Sequence, residues 1–75
     1  KLPGELLDVV IPPKGKWAGK AIKDIDIPKG VVIASVCRGD EVLVATGDLH
    51  LATGDRLILF STPQAVGKLD PLFQK

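Results

Sequence analysis

The sequence predicts a small α+β domain: a mixed, mainly antiparallel sheet with two short helices, in the order β-α-β-β-β-β-α. Three observations predict it. Most of the apolar content lies in residues 30–61, GVVIASVCRGDEVLVATGDLHLATGDRLILFS, as short runs rich in valine, isoleucine and leucine. Those runs are punctuated by Gly-Asp, at Gly39-Asp40, Gly47-Asp48 and Gly54-Asp55, a dipeptide that marks turns. Outside the stretch, apolar residues recur at helical spacing twice, once on each side of it.

Residues 5–11 alternate loosely, with Leu7, Val9 and Ile11 on one side and Leu6 and Val10 around Asp8 on the other. This pattern predicts a strand partly buried on both faces. Pro12-Pro13 ends it, because neither residue can donate a ladder hydrogen bond, and Gly15 turns the chain. Over residues 17–25, Trp17, Ala21, Ile22 and Ile25 fall on one helical face, opposite Lys20, Lys23 and Asp24. A short amphipathic helix is expected there. Pro28 stops it by disfavouring helical geometry at Ile27, and Gly30 leads into the next strand.

Residues 31–38 are almost wholly apolar and predict a central strand covered on both faces, with Arg38 as its exposed end. Gly39-Asp40 then closes a tight hairpin, and residues 41–45 return antiparallel with Val42 and Val44 on one face and Leu43 on the other. A very short strand is expected at Leu49-His50-Leu51, and the last strand over residues 56–61. Ser61 or Thr62 is placed to cap a second helix, with Pro63 in its first turn and Val66 and Leu69 as its buried stripe. Pro71 is expected to break that helix, leaving Leu72 and Phe73 as an apolar tail.

A chain of 75 residues is one domain at most, and at this size folding buries only about 60% of the unfolded surface. Such domains need support from disulfides, a metal or a partner subunit. The single cysteine, Cys37, leaves no internal disulfide and argues against a cysteine-based zinc site. With 45% hydrophobic residues and so little interior, the chain is expected to carry apolar surface to a neighbour, as a homodimer or against the rest of a longer chain. It opens on Lys1 and not on methionine, which suggests a fragment of such a chain. A net charge of +1 gives no general drive toward nucleic acid or anionic membrane.

Read in order, the segments WAGKAIKDIDIP (residues 17–28), IASVCRGD (33–40) and GDLHLATGDRL (47–57) resemble the TrkA C-terminal domain, also called TrkA-C or RCK-C. The resemblance covers nearly the whole chain and rests on the ordered set, with Gly19-Lys20, Arg38, Leu51 and Gly54-Asp55 at family positions. Ala45 departs from it, standing where the family carries a proline near its ligand pocket. The resemblance implies a cytoplasmic, non-catalytic regulatory domain without cofactor. It implies a homodimer acting on a transmembrane ion transporter or channel subunit, in cis or in trans, in potassium uptake, potassium channels or cation antiporters. It also implies a small nucleotide effector, in several members cyclic di-adenosine monophosphate. Carried onto this sequence, the dimer-interface pocket would have Ile25, Asp26 and Pro28 on one side and Val32, Arg38 and Ala45 on the other, with Arg38 as the phosphate partner.

The remaining chemistry is sparse. Cys37 reads first as a packed side chain, and as a redox thiol only through its neighbour Arg38. His50 reads as a partly exposed strand residue, and Asp40, Asp48 and Asp55 as turn residues too dispersed for a calcium loop. No carboxylate pair or carboxylate–histidine pair is placed for catalysis. Lys14, Lys16, Lys20, Lys23 and Lys29 gather around the first helix against only Asp24 and Asp26, a solvated face or a phosphate-attracting one. Two rivals therefore accompany the regulatory reading: a structural dimerisation module without ligand and, less favoured because stacking aromatics are few, a nucleic-acid-binding sheet.

Overall fold

The computed structural model describes residues 4–73. Four strands, β1 (Glu5–Val10), β2 (Val31–Arg38), β3 (Glu41–Leu43) and β4 (Arg56–Ser61), form one sheet. Their spatial order is β1-β4-β2-β3, and every neighbouring pair is antiparallel. The expected mixed sheet is corrected accordingly: no parallel pair occurs among the described residues.

β4 and β2 are the two central strands, each with a partner on both sides. β4 pairs with β1 from Glu5↔Ser61 to Val10↔Arg56, and with β2 from Val31↔Ser61 to Cys37↔Arg56. Leu57 and Leu59 are fully buried on its inner face. Between Ile33 and Ser35 the β2–β4 register slips, leaving Ala34 as an extra residue in the strand. The slip sets which side chains enter the core. Ile33 faces Leu59 and Val36 faces Leu57; strict alternation from Ile33 would have turned Val36 outward.

The β2–β3 hairpin forms as expected, with Arg38 opposite Glu41 across the two-residue loop Gly39-Asp40. Gly39 has φ of +60°, while no residue other than glycine has positive φ among those described. Positive φ at the first loop position alone is the mark of a type II′ turn, which matches the twist of the flanking strands. The cover of β2 differs from expectation. Its inner face is buried, but Val32 on the other side is open, as are Leu6 and Val10 of β1. A domain of this size has one layer to lay on its sheet, not two.

That layer is not helical. Over residues 17–25 the structure has turns and a 3₁₀ turn at Ile22–Asp24. The apolar spacing there is real, and Trp17 and Ala21 are buried, but the backbone bonds elsewhere. Gly19 N–H donates to the Leu51 carbonyl at 2.7 Å, Leu51 N–H to Lys20 at 2.9 Å, Ile22 N–H to Leu49 at 3.0 Å and Lys23 N–H to Gly47 at 2.9 Å. Segment 19–23 is thus laced to segment 47–51. Nine residues are too few to nucleate a stable helix alone, and Gly19, at φ +80°, leaves helical geometry after two residues. The expected strand at residues 49–51 shrinks to one bridge between Ala21 and His50.

The C-terminal helix is also corrected. Ala65, Lys68 and Leu69 each donate three residues back, giving a 3₁₀ turn at Val66–Lys68. No side chain caps it; the Thr62 carbonyl accepts from Ala65, and the Ser61 hydroxyl donates to that same carbonyl at 2.9 Å. The buried residues are Ala65 and Leu69, with Val66 only partly covered. A short helix α1 (Asp70–Phe73) follows and contains Pro71 instead of ending before it. Proline is tolerated there because the first-turn N–H has no helical partner to lose.

The core therefore joins Val31, Val36, Leu57 and Leu59 of the sheet to Ile11, Trp17, Leu51, Ala65 and Leu69 of the covering layer. Leu59→Ala is expected to cost about 2–5 kcal/mol, against a total near 4–11 kcal/mol for a chain of this length. Urea unfolding followed by Trp17 fluorescence would show the midpoint collapse; a shift under about 0.5 kcal/mol would mean that the centre of the sheet is not where stability lies.

Candidate functional site

The strongest polar feature is the pair between the end of β2 and the turn before β4. Asp55 is almost wholly buried, and its carboxylate accepts Arg38 Nε at Oδ1 and Arg38 Nη2 at Oδ2, both at 2.8 Å. The two parallel bonds match the guanidinium fork to the carboxylate. Asp55 Oδ2 also accepts the Ala52 N–H at 2.9 Å, and Arg38 Nη2 donates to the His50 carbonyl at 2.9 Å. The same turn is stitched to the end of the first strand segment: Ile11 N–H donates to the Asp55 carbonyl and Gly54 N–H to the Ile11 carbonyl, each at 2.9 Å. The Arg38 hydrogen bonds hold the Asp55 carboxyl below its ordinary range; burial opposes this, and the Ala52 N–H adds to it.

A second feature lies on the covering layer. Lys16, Trp17, Lys20, Ile25 and Asp26 line a half-open cavity of about 180 Å³. Of these, Trp17 is buried and Ile25 half-buried, while Lys16, Lys20 and Asp26 are exposed. Two ammonium groups over an apolar floor suit an anionic group carried on a flat or apolar body. The volume is below the roughly 300 Å³ at which whole-ligand pockets begin, so the cavity suits part of a ligand.

The expected site residues separate in one chain. Ile25 and Asp26 line this cavity together, whereas Pro28 follows in the link to β2 and is half-buried. Ala45 packs against the core beyond the end of β3. Val32 lies on the opposite, open face of the sheet. Arg38 is at the far end of β2, about 20 Å along the strand from Val32, with Nε and Nη2 directed at Asp55 and His50. Sequence reasoning placed Asp55 among ordinary turn residues and did not see its pairing. The available signal was an arginine ending one apolar strand and an aspartate opening another, which an antiparallel sheet can set side by side.

The other polar groups have local partners. Lys23 Nζ meets Asp48 Oδ1 at 3.0 Å on the surface, and Arg56 pairs with Asp8 across β4 and β1. His50 Nδ1 is 3.2 Å from the Asp48 carbonyl, and Cys37 is half-buried in β2. Among the described residues no three His, Cys, Asp or Glu side chains gather as a metal site would need, and no helix is long and apolar enough to cross a membrane.

Comparison with known proteins gives a consistent result. A family model described as TrkA-C domain matches residues 6–74. The Trk system potassium uptake protein TrkA homolog of Archaeoglobus fulgidus is 34% identical over 59 residues, which is 79% of this chain and 14% of that protein. The Trk system potassium uptake protein TrkA of Halomonas elongata is 51% identical over 45 residues, 60% of this chain and 10% of that protein. The chain thus spans a small fraction of these relatives. A solved chain described as "Structure of RCK domain with cda" has the same fold, with a TM-score of 0.79 at 22% identity, covering 92% of this chain and 97% of that one.

Asp55→Asn tests the pair. It is expected to cost about 1–3 kcal/mol, less than the roughly 3–5 of a fully buried pair because the Arg38 side chain is 42% exposed. Because the folded pKa of Asp55 lies below its ordinary 3.8, its stabilisation is complete above that value and is lost as pH falls through the folded pKa. Acid titrations of stability should therefore show a steeper loss below about pH 4 in the parent than in Asp55→Asn. Parallel curves would remove the pair from the account of stability.

Proposed function

The chain belongs to the TrkA-C domain family, and on that premise we propose that it is a dimeric, ligand-responsive regulatory module of a potassium or related cation transporter, channel or antiporter. The observation that carries this is the match over residues 6–74 together with relatives named as Trk potassium uptake proteins. The module is non-catalytic and works on the cytoplasmic side, biasing a transmembrane subunit in cis or in trans. Its means of doing so is differential binding: an effector shifts the partner only by favouring one of its states.

The effector is a nucleotide, most readily a cyclic dinucleotide such as cyclic di-adenosine monophosphate. Lys16 and Lys20 take a phosphate, Trp17 and Ile25 give the apolar floor, and Asp26 accepts from an amino group of the base. The likeness to an RCK domain solved with cda supports this choice of ligand class. A cavity of about 180 Å³ holds only part of a dinucleotide, so the remaining surface comes from a second copy. In that arrangement Pro28 and Ala45 are the remaining candidates to flank the shared site, Val32 lies on the opposite face of the sheet, and Arg38 offers the site only what Asp55 leaves of its guanidinium.

Thermal melts over a panel of cyclic and linear nucleotides test this reading. One member should raise the Tm in a saturable way, by roughly 10 °C or more at about 100 times its Kd, since that excess is worth about 2.7 kcal/mol and small domains shift about 4–8 °C per kcal/mol. Lys16→Glu combined with Lys20→Glu should weaken that ligand at least about tenfold, the loss of one charge-assisted hydrogen bond. A flat response across the panel would overturn the ligand and leave a purely structural dimerisation module.

A further inference from the structure

β1 is an edge of the sheet, and the direction of its backbone groups is fixed from both ends of the ladder. Ile11 N–H donates to the Asp55 carbonyl and the Ile11 carbonyl accepts from Gly54, each at 2.9 Å, so Ile11 turns both groups toward β4. Alternation along the strand turns Val9, Leu7 and Glu5 the same way, and Val10, Asp8 and Leu6 the opposite way. β4 agrees. Thr62 N–H donates to the Gly30 carbonyl at 2.9 Å, on the β2 side, so Arg56, Ile58 and Phe60 bond toward β2 and Leu57, Leu59 and Ser61 toward β1. The N–H and C=O groups of Leu6, Asp8 and Val10 therefore point off the sheet, and no group among the described residues meets them.

Edge strands are ordinarily blunted by brevity, a proline, a lysine or a bulge. β3, the other edge, is three residues long. β1 has six residues, pairs with β4 without a register slip, and contains neither proline nor lysine. Its one mid-strand charge, Asp8, is drawn over the sheet by Arg56 of β4, whose Nε and Nη2 both reach the carboxylate. The side chains along the edge are apolar on both faces. Leu7 and Val9 are half-buried against the core, and Leu6 and Val10 are exposed on the open face.

We propose that the outer edge of β1 is a docking site for an extended segment of a partner protein, which adds to the sheet as a further strand beside β1. The row of backbone groups specifies the occupant. Donors and acceptors on alternate residues, about 6.7 Å apart, match the backbone of another strand. A helix does not match them, because its backbone bonds are internal. Residues of the segment opposite Leu7 and Val9 extend the core, so they are apolar, whereas those opposite Leu6, Asp8 and Val10 stand on the open face and can be polar. Glu5 has no ionic partner among the described residues, which disfavours an acidic segment. The cavity residues all lie outside β1, so strand addition at this edge needs neither an effector nor a second copy.

The probe is the synthetic peptide acetyl-TVTVTVTK-amide, titrated into the protein without nucleotide and followed by amide hydrogen exchange and NMR shifts. Free protein should exchange the amides of Leu6, Asp8 and Val10 fast and those of Leu7 and Val9 slowly. The peptide should bind saturably with a Kd below about 1 mM and slow exchange at Leu6, Asp8 and Val10. The same peptide N-methylated at its threonines loses the donors that face β1 and should bind at least about tenfold more weakly. Asp8→Pro should weaken binding at least about tenfold while circular dichroism keeps the strand signal, because the Asp8 N–H is outside the ladder. Should that variant fail to fold, the exchange pattern of the parent decides. Leu6, Asp8 and Val10 amides already protected in the free protein would mean that the edge is covered, by a second copy where the protection fades on dilution, and would overturn the proposal. So would a peptide that binds equally well when N-methylated, or one that leaves those three amides unprotected.

Discussion

The bidentate contact between Arg38 and Asp55 fixes more of this fold than its size suggests. It ties the last residue of β2 to the first turn before β4, and through the His50 carbonyl and the Ala52 N–H it also holds the segment that crosses the core. The carboxylate is nearly out of water, so every lone pair it leaves unmatched would cost free energy. Here each oxygen has a donor, and no buried side-chain polar atom among those described lacks a partner. Replacing one member would strand the other, which is why the geometry is specified so tightly.

From that anchor the rest of the layer follows. The 52–55 turn exchanges two backbone bonds with Ile11, which brings the end of β1 over the sheet. The 47–51 segment, held by Arg38 at His50, becomes the template to which residues 19–23 bond. The covering layer is thus turning and extended backbone laced to the 47–51 segment, and not helix. The stretch from 17 to 25 has helical apolar spacing because Trp17, Ala21 and Ile25 must reach one core, and extended and turning backbone can place them there as well.

This contrast marks what sequence could carry. Period-two alternation and the Gly-Asp turns located all four strands and the hairpin at Gly39-Asp40, since those signals are local. The ordered segments around Gly19-Lys20, Arg38 and Gly54-Asp55 also placed the chain in its family. The extra residue at Ala34, the pairing of 19–23 with 47–51, and the Arg38–Asp55 contact are long-range outcomes, each set by residues more than a dozen positions apart. The open face was hidden for a different reason. A nearly all-apolar strand such as β2 reads as covered on both sides, and pattern alone does not distinguish a face buried within the chain from one left bare. For the candidate site, Ile25 and Asp26 come from the family resemblance and Lys16 and Lys20 from the lysine cluster; that they share one cavity follows from the turns of the covering layer.

The two sides of the sheet differ in what they present. The cavity at Lys16, Lys20 and Asp26 lies on the covering layer, while the apolar face lies behind it, and the link through Pro28 into β2 is continuous with both. A domain with a single packed core, ten buried apolar residues among those described, has little room for two internal packings. Under the proposed reading, what an effector changes is how two copies meet. A ligand that contacts both copies gains affinity only in the associated state, so its binding energy appears as a shift in association and not as a rearrangement within one chain.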